Sequence, residues 1–163
     1  MSNKMADDIP VLYVIVRTDM QSMTPGKAQA HSGHAANAFV HKHVVKRIQK
    51  GQELGTAVVE WTKSTDQGFG TQINLKASWA DAVDAHTRAK QLGVMTEMVI
   101  DPTYPYIVDS EVAVLIDPKH HSVDPIVLDN GKVVCHRAEY TAIYFFGMKS
   151  DLKQFVGEFP LHP

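Results

Sequence analysis

The 163-residue chain has a single cysteine, Cys135, so it cannot form an internal disulfide, and a reducing compartment is expected. Long apolar runs are missing too. The longest, Val11 to Val16 and Thr141 to Phe146, are strand-sized, against the ~20 residues that a bilayer-spanning helix requires. No membrane partner is expected. The opening residues Met1 to Asp8 carry acids and lack the apolar core of a secretory signal, so a cytoplasmic location is expected. Acid is absent from one long stretch: Met20 to Gln52 holds no Asp or Glu, but does hold Lys27, Lys42, Lys46, Arg47, Lys50 and four histidines. Those five charges leave −7 for the remainder of a chain whose total is −2. Such a segregated cationic face can meet phosphate although the whole chain is near neutral. A solvated helix face is the ordinary alternative for a charge run.

Hydrophobic residues make up 44% of the chain, enough for one compact core. We read residues 1–163 as a single domain, with 1–9 as a flexible start. Val11 to Val16 reads as a strand buried on both faces. Thr24-Pro25 starts a helix with a hydroxyl cap and proline at the first position. That helix is expected to run to Lys50 and stop at Gly51, with Phe39, Val45 and Ile48 inward and Lys42, Lys46 and Lys50 outward. A short helix and polar loop precede a second strand, Gln72 to Ala77. Ser78 caps a helix with Ala82, Val83, Ala85, Ala89 and Leu92 inward, and a third strand spans Met95 to Ile100. That strand–helix–strand unit implies a crossover between neighbouring parallel strands. Asp109-Ser110 opens a short helix, Glu111 to Ile116. Asn130-Gly131 turns a hairpin from Ile126 to Cys135 by supplying positive φ. Thr141 to Phe146 is another buried strand, and Ser150 caps a last helix with Leu152, Phe155, Val156 and Phe159 on one face. The fold expected is α/β: one three-layer domain with a mixed, mostly parallel four-stranded central sheet, helices on both faces, and an inserted short helix and hairpin near 109–137.

Several chemistries lack support. No Gly-x-Ser-x-Gly elbow exists. Ser32 between His31 and His34, and Cys135 beside His136, are sequence neighbours that point in different directions; a structural thiol is the default. Gly68-Phe69-Gly70 precedes a strand instead of following one, the wrong context for a dinucleotide loop. His31 and His34 share a helical face but have no carboxylate nearby in sequence, and His120-His121 fall on a loop. No metal and no cofactor are expected.

Arg17-Thr18-Asp19-Met20 followed by Gly26-Lys27-Ala28-Gln29-Ala30-His31-Ser32-Gly33-His34-Ala35 resembles the type 2 peptidyl-tRNA hydrolases, whose first strand leads into Arg-x-Asp-[Leu/Met], then Gly-Lys, an Ala-rich turn and His-Ala. Trp61, Gln72 to Lys76, Asp101, Thr141 to Gly147 and Ser150 to Phe159 continue the likeness in order, from Val11 onward. There are departures. His31 stands where the family usually has Gln. Asp101-Pro102-Thr103-Tyr104-Pro105 replaces Asp-Ala-Gly-x-Thr-Gln. Thr96 or Glu97 stands in place of a family lysine. The segment between Asp101 and Thr141 is about three times the family's length.

The resemblance implies hydrolysis of the ester joining a peptide to tRNA, by activated water and without a covalent intermediate. It implies Lys27, Asp101 and Thr141 as the catalytic group. Lys27 would contact phosphate or the oxyanion, Asp101, at the end of the third strand, would orient or deprotonate water, and Thr141 would hydrogen-bond substrate or that water. Arg17, Asp19, His31, His34 and Thr103 are the substrate-binding candidates, and Lys42, Lys46, Arg47 and Lys50 would track the tRNA backbone. Peptidyl-tRNA is the partner implied, and a homodimer is left open. A second reading is a non-catalytic RNA-binding or protein-interaction module that keeps the fold.

Overall fold

A computed structural model describes residues 8–20, 22–115 and 123–162. Strand β1 (Pro10–Arg17) is almost continuously buried, as an apolar run between two layers of helices demands. It pairs in parallel with β2 (Gln72–Ala77) and antiparallel with β5 (Lys132–Met148), whose other edge carries β3 (Met95–Asp109). A short β4 (Val123–Val127) also pairs with β5. The described sheet therefore has five strands, with β2-β1-β5-β3 as its main order. The α/β architecture with helices on both faces stands, but only β1·β2 is a parallel pair. The crossover from β2 to β3 also does not join neighbours: β1 and β5 lie between them.

Two further expectations change with the strand lengths. The third strand does not stop at Ile100 but runs to Asp109, so Asp101 lies within it. The last strand starts at Lys132, which puts Thr141 in its interior. The insertion is thus largely a two-stranded ribbon, Tyr104 to Asp109 against Lys132 to Arg137, capped by α5 (Ser110–Leu115) and edged by β4. At the β4–β5 turn Gly131 has φ +77° and Asn130 does not share the left-handed conformation. Asn130 instead accepts the Lys132 amide at 3.0 Å through its side chain. His120-His121 and residues 1–7 lie outside the described residues, whereas Asp8 and Ile9 are tied to the last helix. The Lys149 amide donates to the Ile9 carbonyl, and Asp8 accepts the Ser150 amide at 2.9 Å and its hydroxyl at 2.7 Å. Asp8, not Ser150, caps α6 (Lys149–Val156), whose cap residue Met148 makes no side-chain bond.

One face of the sheet packs α1 (Pro25–Val40) and α3 (Thr56–Thr62), joined by Phe39, Val58 and Trp61 to Leu12, Val14, Val16, Tyr144 and Phe146. The other packs α4 (Trp79–Gln91) and α6 through Ala82, Ala85, Ala89, Leu152 and Phe155. Leu92, expected inward, is exposed beyond the end of α4. Thr24 caps α1 as expected, its hydroxyl accepting the Lys27 amide at 3.3 Å. Ser32, buried on α1, donates to Asn74 on β2 at 2.6 Å and accepts from Gln72, which fixes the helix's rotation on the sheet.

Past Val40 the helix widens into a π segment (His41–Val45) before resuming as α2 (Lys46–Gln49) and ending at Gly51 with φ +64°. A π turn advances the helical phase by an extra residue. His43 thus turns toward Phe39 and Tyr144, while Val45 and Ile48, expected in the core, are exposed. Phe39 anchors this face: it is fully buried, its ring 4.5 Å from that of Phe146 and edge-on to Trp61 and Tyr144. Phe39→Ala is expected to destabilise the protein by about 3–5 kcal/mol in chemical denaturation; a loss below about 1 kcal/mol would contradict that role.

Candidate functional site

Two interruptions of the β3·β5 ladder, at Val99/Ile100 and between Asp101 and Tyr104, bend β3 across the first turns of α1. The bend seats Asp101 beside His31, with Oδ2 and Nδ1 3.9 Å apart. Thr103 holds the other carboxylate oxygen, donating from its amide at 2.9 Å and its hydroxyl at 3.3 Å to Oδ1. Thr103 thus orients Asp101 and leaves Oδ2 turned to the imidazole. His31 is 3% exposed, and its Nδ1 has no hydrogen-bond partner among the described residues. Burial depresses its pKa, and the nearby charges of His34 and Lys27 add to this against an opposing pull from Asp101. The ring is therefore neutral at pH 7, with a nitrogen lone pair or proton free for other use. His34, one turn on and exposed, sets its ring 5.3 Å from His31, edge to face.

Lys27 reaches the same place from the helix start. Its Nζ donates to the Pro105 carbonyl at 3.4 Å and lies 4.9 Å from the centre of the Tyr104 ring. Tyr104 is fully buried, stacks obliquely on His31, and shares a 2.8 Å hydrogen bond with Ser22. No carboxylate pairs with Lys27 among the described residues. The ammonium opens onto a cleft of about 700 Å³ lined also by Arg17, Asp19, Tyr106, Arg137 and Glu139.

The other expected residues divide. Arg17 binds Asp19 at 2.9 Å through two nitrogens, Glu139 at 3.0 Å and the Tyr140 carbonyl at 3.1 Å, with its guanidinium over Trp79. Arg17 and Asp19 line the cleft, but their charges are spent on each other and on β5. Thr141 does not reach it: the residue is fully buried, and its hydroxyl lacks a partner among the described residues. Lys42 is engaged by Glu97, which also accepts from the Tyr144 hydroxyl at 3.0 Å. Burial alone would raise the Glu97 carboxyl, but the bonds from Lys42 and Tyr144 hold it below its ordinary range. Lys42 is therefore not a free cation, as the backbone-tracking expectation needed. Lys46, Arg47 and Lys50 surround an open depression of about 610 Å³ with His41, His43 and Glu97.

Sequence reasoning passed over Tyr104, Tyr106, Arg137 and Glu139. Arg137 stacks 4.5 Å from the Tyr106 ring centre, and Tyr106 donates to Glu139 at 2.5 Å. These residues share a face only because the ribbon is in register, which spacing along the chain could not reveal. The one available signal was the aromatic alternation Tyr104-Pro105-Tyr106.

A family model for peptidyl-tRNA hydrolase PTH2 matches residues 10–128. The chain belongs to that family, a family of hydrolases acting on peptidyl-tRNA. No curated protein matches the chain. No helix among the described residues is long and apolar enough to cross a membrane.

Two predictions follow from the buried polar groups. Burial holds His31 and His86 below the ordinary histidine pKa of 6.5. Each contributes stability that is complete above pH ~6.5 and is lost as pH falls through the depressed folded value, because the unfolded chain then binds more protons. The melting temperature should fall on acidification below pH ~6.5, and His86→Gln should flatten that slope; a profile flat from pH 7 to 5 would contradict it. Thr141→Val removes an unpartnered hydroxyl at constant shape, so stability should hold or rise by about 1 kcal/mol; a loss of that size would reveal a bond to this hydroxyl.

Proposed function

We propose that this chain hydrolyses the ester between the peptide and the terminal ribose of tRNA, using water held between Asp101 and His31. The observation that carries this reading is the oriented pair itself: Asp101 Oδ2 and His31 Nδ1 face each other at 3.9 Å, with Oδ1 fixed by Thr103 and the imidazole neutral. Nδ1 is buried, so a slight parting of the pair admits one water about 2.8 Å from both atoms, which would donate one hydrogen to the carboxylate and the other to the imidazole lone pair. Its oxygen lone pair is then free for the ester carbonyl. As the carbon–oxygen bond forms, Asp101 takes the proton, and the developing oxyanion comes to the Lys27 ammonium, reinforced by the positive end of α1. Collapse breaks the bond to the ribose oxygen, which takes the proton back from Asp101. No covalent intermediate is needed, since the ester is already activated.

Lys46, Arg47 and Lys50 act in this reading as phosphate contacts for the tRNA, without sequence preference. Arg17, with Asp19 and Glu139, sets the cleft wall, and His34 stands beside His31 as an exposed contact for the substrate. Thr141 acts beneath the surface at the ladder break. A cytoplasmic location belongs to the same reading.

Single-turnover assays on a peptidyl-tRNA mimic test the reading. Asp101→Asn should lower kcat about 10²–10⁴-fold, and Lys27→Ala about 10²–10³-fold, with tRNA binding preserved in both. Replacing Lys46, Arg47 and Lys50 together by Ala should instead raise KM and flatten the salt dependence of binding. If the wild-type chain binds tRNA but releases no peptide, the non-catalytic module replaces this reading.

A further inference from the structure

His31, His34 and Asp101 do more than face one another. One donor atom from each lies within 4.8 Å of the other two. We propose that these three side chains form an open binding site for a divalent transition-metal ion of the zinc class. The donor set is two imidazoles and one carboxylate, the composition that zinc and its neighbours favour over the oxygen-rich sets of calcium and magnesium. His31 and His34 are three residues apart on α1, so one helical face presents both rings. Asp101 comes from β3, 67 residues after His34 in the chain, which explains why no local spacing motif marks the site.

A second observation is independent of that grouping. His31 is 3% exposed, yet its Nδ1 has no hydrogen-bond partner among the described residues and is directed at Asp101. A buried nitrogen without a partner costs stability unless something completes it. Coordination would do so with the lone pair of a neutral ring. The remaining features of the site suit a ligand role. Thr103 bonds the carboxylate oxygen that faces away from the imidazole, the kind of outer support that fixes a metal-binding carboxylate. His34 is exposed and can swing, and tetrahedral coordination requires donor atoms about 3.3–3.6 Å apart. Movement of His34 shortens the two sides of the triangle that it forms, and the third, 3.9 Å between His31 Nδ1 and Asp101 Oδ2, must close by a few tenths of an ångström.

Three protein ligands leave a coordination position for water, and a bound ion would be the largest local charge in the site. Lys27 opposes the ion, because its positive ammonium also acts on His31. It weakens the site, and that makes it a diagnostic. The ion would take the Oδ2 and Nδ1 that the proposed hydrolysis assigns to water, so the two occupants are alternatives, and binding is read directly on the 163-residue chain, separately from turnover.

Titration with Co²⁺, followed by its visible ligand-field absorption, and with Zn²⁺ by calorimetry should each give one ion per chain. Asp101→Asn and His34→Gln should each weaken that binding at least tenfold, and Lys27→Ala should tighten it several-fold. His34 is exposed, so its variant tests the idea even if His31→Gln disturbs the core. Binding of the same strength in both ligand variants would place the ion on other histidines and overturn the proposal. So would the absence of one-to-one binding in the wild type.

Discussion

Between Val99 and Tyr104 the β3·β5 ladder twice loses register, and the arrangement around the first turns of α1 follows from that interruption. In a regular ladder, Asp101 and Tyr104 would project to opposite faces, because side chains alternate along a strand. The break instead lets both meet His31: Asp101 at its Nδ1 and Tyr104 across its ring. Pro105 then offers its carbonyl to Lys27. One backbone irregularity thus brings a carboxylate from β3 to an imidazole and an ammonium that stand one turn apart on α1. Bulges do this where a side chain must be re-aimed, and here it is accompanied by a buried nitrogen and a buried hydroxyl that lack partners among the described residues.

That spot is held from behind by packing. The rotation of α1 is fixed at Ser32 by Asn74 and Gln72, and its far end by Phe39 against Trp61, Tyr144 and Phe146. Because Ser32 faces β2, its neighbours His31 and His34 are free to turn toward β3. The buried alanines Ala28 and Ala35 keep the helix close enough to the sheet for the Ser32–Asn74 bond of 2.6 Å. On the other side of the sheet, α4 and α6 pack alanines, aliphatics and Phe155 around Ile15, Ile143 and Phe145, and α4 also sets Trp79 against the Arg17 guanidinium.

Much of this was readable in the chain. The apolar run at Val11, the Thr24-Pro25 cap and the alternation of helix and strand follow local rules, and they hold. What failed were properties of pairing. No residue in Met95 to Asp109 announces that the strand continues through two prolines, since the partner β5 supplies the hydrogen bonds and the bulge absorbs the mismatch. The phase shift that exposes Val45 and Ile48 comes from a π turn in a sequence that scans as regular helix. Family resemblance names Lys27, Asp101 and His31 one by one, whereas the 3.9 Å approach of His31 to Asp101 spans 70 residues of sequence and is a product of the fold. Thr141 was chosen on the same resemblance and is buried. A motif reports residue identity, and exposure is decided by the fold.

The acid-free stretch, read as a single cationic face, is in fact two. Lys42, which would join its halves, is neutralised by Glu97 from β3. That leaves Lys27 at the start of the helix and Lys46, Arg47 and Lys50 at its end. At ~1.5 Å per residue these groups stand roughly 30 Å apart, several times the ~8 Å over which charge acts in physiological salt. Each cluster therefore attracts anions independently. A small ester would feel only the Lys27 end, and short phosphates would feel either end alone. A ligand that gains from both must be a polyanion about 30 Å long with its reactive group at one terminus, and on the hydrolytic reading that is the geometry of an acylated tRNA end.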